Sequence, residues 1–259
     1  MTNLVDLAKK LFDDGPVRAA PASGRRVRVL FGSSFIIDST EGQHVWEHPY
    51  YPQYYFPYFN LKASPDSKET IYVNDKGVAQ VLHLKQKDRM GTVLHLFDIA
   101  EWKGLRGLVR PTFGEMDQWF EEDTKIYVHP KDPTKRIDIL PSTRTVEIQV
   151  NGKTLAKSSS SMHLIEPLLP VRYYLPQTAV TDQSLLRASD TRSLCPYKGE
   201  AEYYDIVLDD GSVHKDLAWW YRYPTPESHA ITGLLCFYNE KVDVILDGKK
   251  LKRPKTKFS

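Results

Sequence analysis

The segment Ser189–Tyr204 brings together more kinds of reactive side chain than any other stretch of the chain. Within it, Lys198 follows Cys195 by three residues, and Pro196 and Gly199 shape the turn that contains them. An ammonium group near a thiol favours the thiolate, which is the nucleophilic form. The spacing therefore indicates Cys195 as a nucleophile or proton donor beside Lys198. The alternative is an unreactive buried cysteine beside an exposed lysine.

A second set of candidates surrounds Glu166, which lies among apolar residues in a strand–loop–strand segment. A partly buried carboxylate either pairs with a cation, here Arg172 or Lys198, or acquires a raised pKa and serves as a general acid or base. We therefore predict Glu166 to be a catalytic acid or base. Tyr174 and Tyr203 are predicted to orient the substrate. An ion pair between Arg172 and Glu166 that only braces the sheet is the alternative.

The third candidate is the aromatic run Trp219-Trp220-Tyr221. Alternation along a strand sends Trp219 and Tyr221 to one face and Trp220 to the other. One face would belong to the core, and the other would form an aromatic wall for a planar or cationic ligand. Trp219 and Tyr221 thus join Arg172 as predicted ligand-binding residues, with simple core packing as the alternative.

Composition limits the classes of protein that these candidates could serve. The 259 residues are 41% hydrophobic and 26% charged, which is typical of a globular protein. The cysteines, Cys195 and Cys236, form no CxxC pair, so we predict no structural zinc site. The sequence also contains no Walker loop, dinucleotide fingerprint or HExxH motif, so we predict no other cofactor. Without an apolar leader or a long apolar run, we expect a cytoplasmic protein that makes no membrane contact. From the candidate residues above, we expect its partner to be a small-molecule ligand or substrate.

Positive charge is concentrated at the C-terminal end of the chain. The formal net charge is +2, and basic residues cluster at Lys249, Lys250, Lys252, Arg253, Lys255 and Lys257. The remainder of the chain has no basic stripe, which argues against a nucleic-acid partner. The tail could instead direct the protein to the nucleus, or simply be a solvated tail.

An internal repeat organises the chain. At an offset of 119 residues, Val27–Pro57 aligns without gaps on Val146–Pro176, and both copies contain a hairpin signal, Asn151-Gly152 in the second. The identical pairs include His44/His163, Glu47/Glu166, Tyr54/Tyr173, Tyr55/Tyr174 and Pro57/Pro176. A weaker block recurs at an offset of 116, where Trp119–Val128 resembles Leu235–Val244. The pattern predicts two duplicated domains.

The predicted fold is mainly β, with short helices, in two tandem domains. Residues 1–24 form an arm and linker, in which Asn3 caps an amphipathic helix that packs on the body or on a partner. The first β domain is predicted over 25–141, the second over 146–251, and a basic tail over 252–259. In the second domain, Thr225 is predicted to cap a short helix that begins with Pro226.

The second half resembles the domain-of-unknown-function 427 family, which also carries a nucleotidyltransferase-like label without established activity. The residues that match its pattern are Glu166, Arg172 to Pro176, Cys195 to Tyr203, Ala218 to Tyr221 with Pro224, and Phe237-Tyr238. The first half resembles the N-terminal copy of two-domain members but lacks the Cys-Pro-Tyr-Lys-Gly turn and has Gln53 in place of Arg172. The resemblance implies a degenerate or regulatory first copy.

The same resemblance implies a β-tent-like fold, the group that includes B-type methionine sulfoxide reductases and the ligand-binding domain of cereblon. In those relatives a pocket lies between two antiparallel sheets and two CxxC pairs hold zinc. This chain lacks those cysteines, so the resemblance carries over the pocket and not the metal.

Three functions follow from these observations. The first is an enzyme that acts on a small molecule in the second domain with Cys195, Lys198 and Glu166 as catalytic residues. The second is a non-catalytic module that binds a metabolite or peptide in a cage containing Trp219 and Tyr221. The third is a nucleotide or nucleic-acid role through the basic tail. An accessible Cys195 beside Lys198 and Glu166 would favour the first.

Overall fold

A computed structural model describes residues 3–100, 102–256 and 258–259, with the backbone alone described at position 103. The chain divides into two compact units, Met1–Asp132 and Pro133–Ser259. The first two residues of the predicted arm and Lys257 of the predicted tail lie outside the described residues. Within those ranges, no helix combines the length and the apolarity required to cross a membrane.

The first unit starts with a helix and continues as strands. Its elements are α1 (Leu4–Asp13), β1 (Arg18–Pro21), β2 (Val27–Phe31), β3 (Ser34–Ser39), β4 (Gln43–Trp46), β5 (Gln53–Pro57), β6 (Ser67–Asn74), β7 (Gly77–Gln86), β8 (Arg89–Ile99), β9 (Leu108–Pro111), β10 (Gln118–Glu121) and β11 (Thr124–Ile126). They form a large antiparallel sheet in the order β1-β4-β5-β9-β8-β7-β6 and a small one in the order β11-β10-β2-β3.

The second unit repeats this plan without the helix α1. Its strands are β12 (Asp138–Ser142), β13 (Val146–Val150), β14 (Lys153–Ser158), β15 (Ser161–Ile165), β16 (Arg172–Leu175), β17 (Leu186–Cys195), β18 (Gly199–Val207), β19 (Val213–Trp220), β20 (Leu235–Phe237), β21 (Asp243–Leu246) and β22 (Lys249–Lys250). The large sheet has the order β12-β15-β16-β20-β19-β18-β17 and the small one β14-β13-β21-β22.

The predicted mainly-β class, the duplication and the N-terminal helix are confirmed. Residues 138–141, assigned above to the end of the first domain, lie in β12, which pairs with β15 of the second unit. The repeat at an offset of 116 is wrong. Trp119 lies in β10 opposite Val29 of β2. Ile148 of β13 is the repeat equivalent of Val29, and the residue opposite it is Val244, whereas an offset of 116 would require Leu235 there.

Each unit has its main core between the two sheets. The alternation of Val27, Val29 and Phe31 along β2 sends all three side chains into that core, where they meet large-sheet residues such as Tyr54. In the second unit, Val146, Ile148 and Val150 of β13 do the same. One face of each large sheet is thereby covered by the small sheet. We call the opposite face of each large sheet its outer face.

Helix α1 covers the outer face of the first unit. Asn3 caps it, because its side chain accepts a hydrogen bond of 2.9 Å from the Val5 backbone N–H. The apolar face predicted from the sequence packs inward: Leu7, Ala8 and Leu11, with Phe12 beside them, are buried, and Leu4 at the start of the helix is half-buried. They pack against an aliphatic surface that includes Val45, Leu94, Leu96 and Leu108.

Candidate functional site

The outer face of the second unit is aromatic instead of aliphatic. Its buried residues are Leu164, Tyr174, Ala201, Tyr203, Trp219, Tyr221, Ile231 and Cys236. Strand register puts four of them in one row across the sheet, since Tyr174 pairs with Cys236, Cys236 with Trp219, and Trp219 with Tyr203. The predicted alternation of the aromatic run holds, because Trp220 packs into the core on the other face.

Lys198 and Glu166 meet across this face. The Lys198 ammonium donates a hydrogen bond of 2.7 Å to the Glu166 carboxylate, and the two side chains are 14% and 16% exposed. Lys198 precedes β18, whereas Glu166 follows β15, and β16, β20 and β19 lie between those strands. A flat sheet would hold β15 and β18 roughly 19 Å apart. The sheet therefore curves so that the ion pair closes over its outer face.

Hydrogen bonds from Thr225 and Ser228 anchor the turn that carries Lys198. The backbone N–H of Thr225 donates to the carbonyl of Lys198 at 3.2 Å, and the hydroxyls of Thr225 and Ser228 both donate to the carbonyl of Tyr197. Thr225 is the N-cap residue of the following 3₁₀ helix, Pro226–Ile231, with Pro226 at its start as predicted, and its hydroxyl donates to the turn without accepting a capping hydrogen bond from the helix. This anchoring holds the lysine at the edge of the outer face.

Cys195 ends β17 directly before this turn, opposite Gly199. It is partly exposed, whereas Cys236 is wholly buried, and burial raises the pKa of Cys236 to about 12. The two cysteines thus differ in access, which is the property that separates a reactive thiol from an inert one.

Tyr221 lies at the centre of the candidate residues. Burial raises its pKa well above 10, and the nearby groups Cys195, Tyr203, Cys236 and Glu166 raise it further. The pKa of Tyr174 is likewise raised well above its usual value, first by burial and then by Cys236 and Tyr221. Both phenols therefore stay neutral hydrogen-bonding groups at ordinary pH.

Two tyrosines predicted to orient a substrate have protein partners. The hydroxyl of Tyr174 accepts a hydrogen bond of 3.1 Å from the indole N–H of Trp219, and Tyr174 is fully buried. The hydroxyl of Tyr203 lies 2.6 Å from that of Ser193 and 3.4 Å from that of Tyr238. Trp219 and Tyr221 are buried as well, so the predicted aromatic wall is packed against its own neighbours.

Arg172 pairs with Glu240 and not with Glu166, so the alternative of an Arg172–Glu166 brace does not hold, and of the two cations offered for Glu166 it is Lys198 that binds it. The Arg172 guanidinium donates to both carboxylate oxygens of Glu240, at 2.7 and 2.8 Å, and the Glu240 side chain is fully buried. Burial alone would raise the pKa of Glu240, but hydrogen bonds from Arg172 and Thr256 hold it below its usual value. Arg172 faces a second carboxylate, which leaves Glu166 to Lys198.

Aromatic rings surround the Arg172 guanidinium. Its carbon lies 5.5 Å from the ring centre of Trp219, 5.9 Å from Tyr238 and 6.0 Å from Phe258. Part of the predicted basic tail therefore returns to the outer face, where Thr256 also donates a hydrogen bond of 2.6 Å to Glu240. The analysis of residue types did not identify Glu240, Thr256 or Phe258.

The equivalent positions in the first unit follow from strand register. Arg110 pairs with Leu94 and Leu94 with Val81, as Cys236 pairs with Trp219 and Trp219 with Tyr203. Leu94 thus corresponds to Trp219, Val81 to Tyr203 and Arg110 to Cys236. Gly77 lies four residues before Val81, as Gly199 lies four residues before Tyr203. Lys76, which precedes Gly77, therefore corresponds to Lys198.

The carboxylate Glu47, the equivalent of Glu166, is sealed in the first unit. It receives hydrogen bonds from Arg110 at 2.8 and 3.1 Å and from the hydroxyl of Tyr55 at 2.9 Å. Both members of the Glu47–Arg110 pair are buried, at 5% and 6% exposure. A carboxylate held in this way has no open side toward a ligand.

A cavity of about 420 Å³ lies beside the outer face of the second unit, at its β12 edge. Met162 and Leu234 line it and also pack against the outer-face cluster, and the other lining residues are Pro141, Ser142, Thr143, Ser159, Ser160, Ser161 and Pro176. Its volume is in the range of small-molecule sites. Among the described residues, no group of His, Cys, Asp and Glu side chains is arranged to hold a metal ion.

The fold and the site define a protein with two tandem two-sheet β units, in which one outer face is filled by a helix and the other carries a thiol, an ammonium and a carboxylate. The chain belongs to the family described as Domain of unknown function (DUF427), whose model matches residues 19–122 and 138–248. The two matched regions are the two copies of the repeat. No curated protein matches the chain.

Proposed function

We propose that the second unit is an enzyme that acts on a small molecule with Cys195, Lys198 and Glu166 as its reactive groups. The observation that carries this proposal is the ion pair of 2.7 Å between Lys198 and Glu166, which lies over the aromatic outer face near the partly exposed Cys195. A partly exposed ion pair is weak evidence for a stabilising role, and its position close to an accessible thiol supports a functional one.

The roles follow from the chemistry of each group. Lys198 binds a negative group of the substrate or stabilises negative charge that develops on it. Glu166, released from Lys198 when that group binds, exchanges a proton with the substrate. Cys195, partly exposed at the end of β17, supplies the thiol that reacts or donates a proton. The buried phenols of Tyr174 and Tyr221 remain neutral and shape the floor.

The experiment is turnover of a cell-metabolite extract by the full chain, followed by mass spectrometry. We expect one compound to be consumed by the wild type and by Lys76→Met, which changes the equivalent lysine of the first unit. Glu166→Gln should slow that conversion at least about 100-fold, the usual contribution of a general acid or base. Conversion at the wild-type rate by both Cys195→Ser and Glu166→Gln would overturn the proposal.

A non-catalytic binding module is the second candidate, and the packed aromatic face favours it. Trp219, Tyr203 and Tyr238 already contact one another or Arg172, as the walls of a rigid binding site would. In this case a metabolite would be retained without being changed. Binding that survives Cys195→Ala and Glu166→Gln would select this candidate over the enzyme.

A further inference from the structure

The first unit carries its own occupant on the outer face, and that occupant shows what the second face accepts. Helix α1 packs Leu7, Leu11 and Phe12 against the first outer face. It also places charged groups beside the equivalents of the two site residues Glu166 and Lys198. The residues that line up are Glu47 with Glu166, by the repeat, and Lys76 with Lys198, by strand register.

At the glutamate position, α1 presents a cation. The ammonium of Lys10 donates a hydrogen bond to the backbone carbonyl of Glu47. The Glu47 carboxylate is occupied by Arg110, so the backbone oxygen is the acceptor that Lys10 meets there. In the second unit, Cys236 stands where Arg110 would be, so no arginine reaches the Glu166 carboxylate from that position and its partner is Lys198.

At the lysine position, α1 presents an anion. The carboxylate of Asp13 lies 3.7 Å from the ammonium of Lys76 and accepts a hydrogen bond of 3.3 Å from the hydroxyl of Tyr72. Phe12, which lies between Lys10 and Asp13 in the sequence, packs its ring 4.8 Å from that of Tyr72. A side chain at Gly77 would meet the same ring at 2.5 Å, so Phe12 lies directly against the backbone at the start of β7, next to Lys76.

Within four residues, α1 thus supplies an ammonium, an apolar ring and a carboxylate to the first face. We propose that the second site binds a small zwitterion with an apolar side chain, of the amino-acid class. Its carboxylate pairs with Lys198 and its ammonium with Glu166. This inference rests on the proposed function, since it names the substrate class of the same site. Binding would replace the Lys198–Glu166 ion pair with two ion pairs to the ligand, so that no charge is left unpaired.

The occupant of the second face must be small. Trp219, Tyr221 and Tyr203 fill volume that in the first unit is divided between smaller residues and α1. The smaller residues at the equivalent positions are Leu94, Leu96 and Val81. A whole helix therefore does not fit over the aromatic face, and the proposed ligand must be small enough to insert between Lys198 and Glu166 as it separates them.

The test uses three probes of matched shape and the full chain. Phenylalanine has both charges, phenethylamine lacks the carboxylate and 3-phenylpropanoate lacks the ammonium. Calorimetry should give the wild type and Lys76→Met about ten-fold tighter binding to phenylalanine than to either analogue, the loss expected for one hydrogen bond to a charged group. Leucine serves as a second zwitterion with a smaller side chain.

Two variants test which protein group binds each charge of phenylalanine. In Lys198→Met, phenylalanine should bind no more tightly than phenethylamine, and in Glu166→Gln no more tightly than 3-phenylpropanoate. Equal affinity of the wild type for all three probes, or no binding of either amino acid, would overturn the inference. Unchanged circular dichroism and thermal unfolding of each variant establish that it is folded.

The two proposals fail separately. If amino acids bind with this charge dependence but no compound is converted, the ligand class stands and the enzyme is refuted. If a compound without both charges is converted in a manner that depends on Glu166, the enzyme stands and the ligand class is refuted.

Discussion

The two units share a scaffold and differ in where an arginine stands. In the first, Arg110 of β9 binds Glu47, and the equivalent of Arg172 is Gln53. In the second, the arginine lies on β16 as Arg172 and binds Glu240. The carboxylate at the repeat position, Glu166, is thereby left to Lys198. Moving one guanidinium by one strand thus changes the partner of the repeated carboxylate from a buried arginine to the partly exposed Lys198.

The two units also differ in the residues that cover their outer faces. The first has aliphatic residues and needs α1 to complete its packing, with Leu11 and Phe12 wholly buried. The second has Trp219, Tyr203 and Tyr221, which pack against one another and against Ile231 of the 3₁₀ helix Pro226–Ile231, with no equivalent of α1 among the described residues. The first face is thus closed by α1, and the second is the face on which we propose that charged groups act.

The largest effect is expected from Arg110→Met. It leaves the buried Glu47 carboxylate with the Tyr55 hydroxyl but without its counter-charge, and should lower the free energy of unfolding by about 3–5 kcal/mol. Urea denaturation measures the loss. The double variant Glu47→Gln/Arg110→Met should recover most of it, because no buried charge remains. A loss below about 1 kcal/mol would mean that the carboxylate is not sealed.

The next effect tests the role of α1 as the cover of the first face. Leu11→Ala removes a fully buried side chain and should cost about 2–5 kcal/mol. Val5→Ala, at an exposed position of the same helix, should change stability by less than about 0.5 kcal/mol. Limited proteolysis with mass spectrometry should show cleavage in residues 3–132 only. Equal behaviour of the two variants would contradict the packing of α1.

Acid should weaken the first unit before the second. Burial lowers the pKa of His44 to about 4, with Arg25 adding to the shift, and burial and Lys68 lower that of His95 to about 4. Both histidines are neutral in either state above pH 6.5, so they add no pH dependence there. As pH falls from 6.5 to about 4, only the unfolded chain takes up the protons. Stability should therefore fall by up to about 1.4 kcal/mol per pH unit for each histidine.

Urea unfolding of the wild type and of His44→Gln/His95→Gln at about pH 7.5 and about pH 5 measures this difference. The variant should lose less stability than the wild type on acidification, and proteolysis at the lower pH should begin in the first unit. An identical pH dependence of the two proteins would show that these histidines become protonated in the folded state.

The smallest effect on stability is expected from Lys198→Met. The ion pair that it removes is partly exposed, so the free energy of unfolding should fall by about 1 kcal/mol or less. Urea denaturation beside Arg110→Met provides the comparison. A loss as large as that of Arg110→Met would mean that Lys198 is a structural residue, and the distinction between the two faces would not hold.

Much of the scaffold could be predicted because its signals are local. Short stretches of sequence were enough to predict a strand from the alternation in Val27–Phe31 and a hairpin from the Asn151-Gly152 turn. Comparing two such stretches at an offset of 119 residues was enough to predict the duplication. The amphipathic pattern of α1 also identified its buried face. It could not identify the surface that the helix covers, because the alternating pattern of a strand does not say what lies on its second face.

The site could be predicted only in part. Lys198 was one of two cations offered for Glu166, and sequence separation could not choose between them. Glu240 lies 68 residues from Arg172, so no spacing links this pair. The first-unit equivalent of the Cys195–Gly199 turn was missed because it is one residue shorter, running from Asn74 to Gly77. The offset of 116 failed because short apolar strands resemble one another.

The most direct test of the central claim, that the second outer face is an accessible reactive site, is alkylation of the native full chain by iodoacetamide with peptide mass spectrometry. We predict that Cys195 is labelled while Cys236 stays unlabelled until the chain unfolds, and that phenylalanine slows labelling in the wild type but not in Lys198→Met. If Cys195 is labelled only together with Cys236 on unfolding, the thiol is sealed and the account of the second face is wrong.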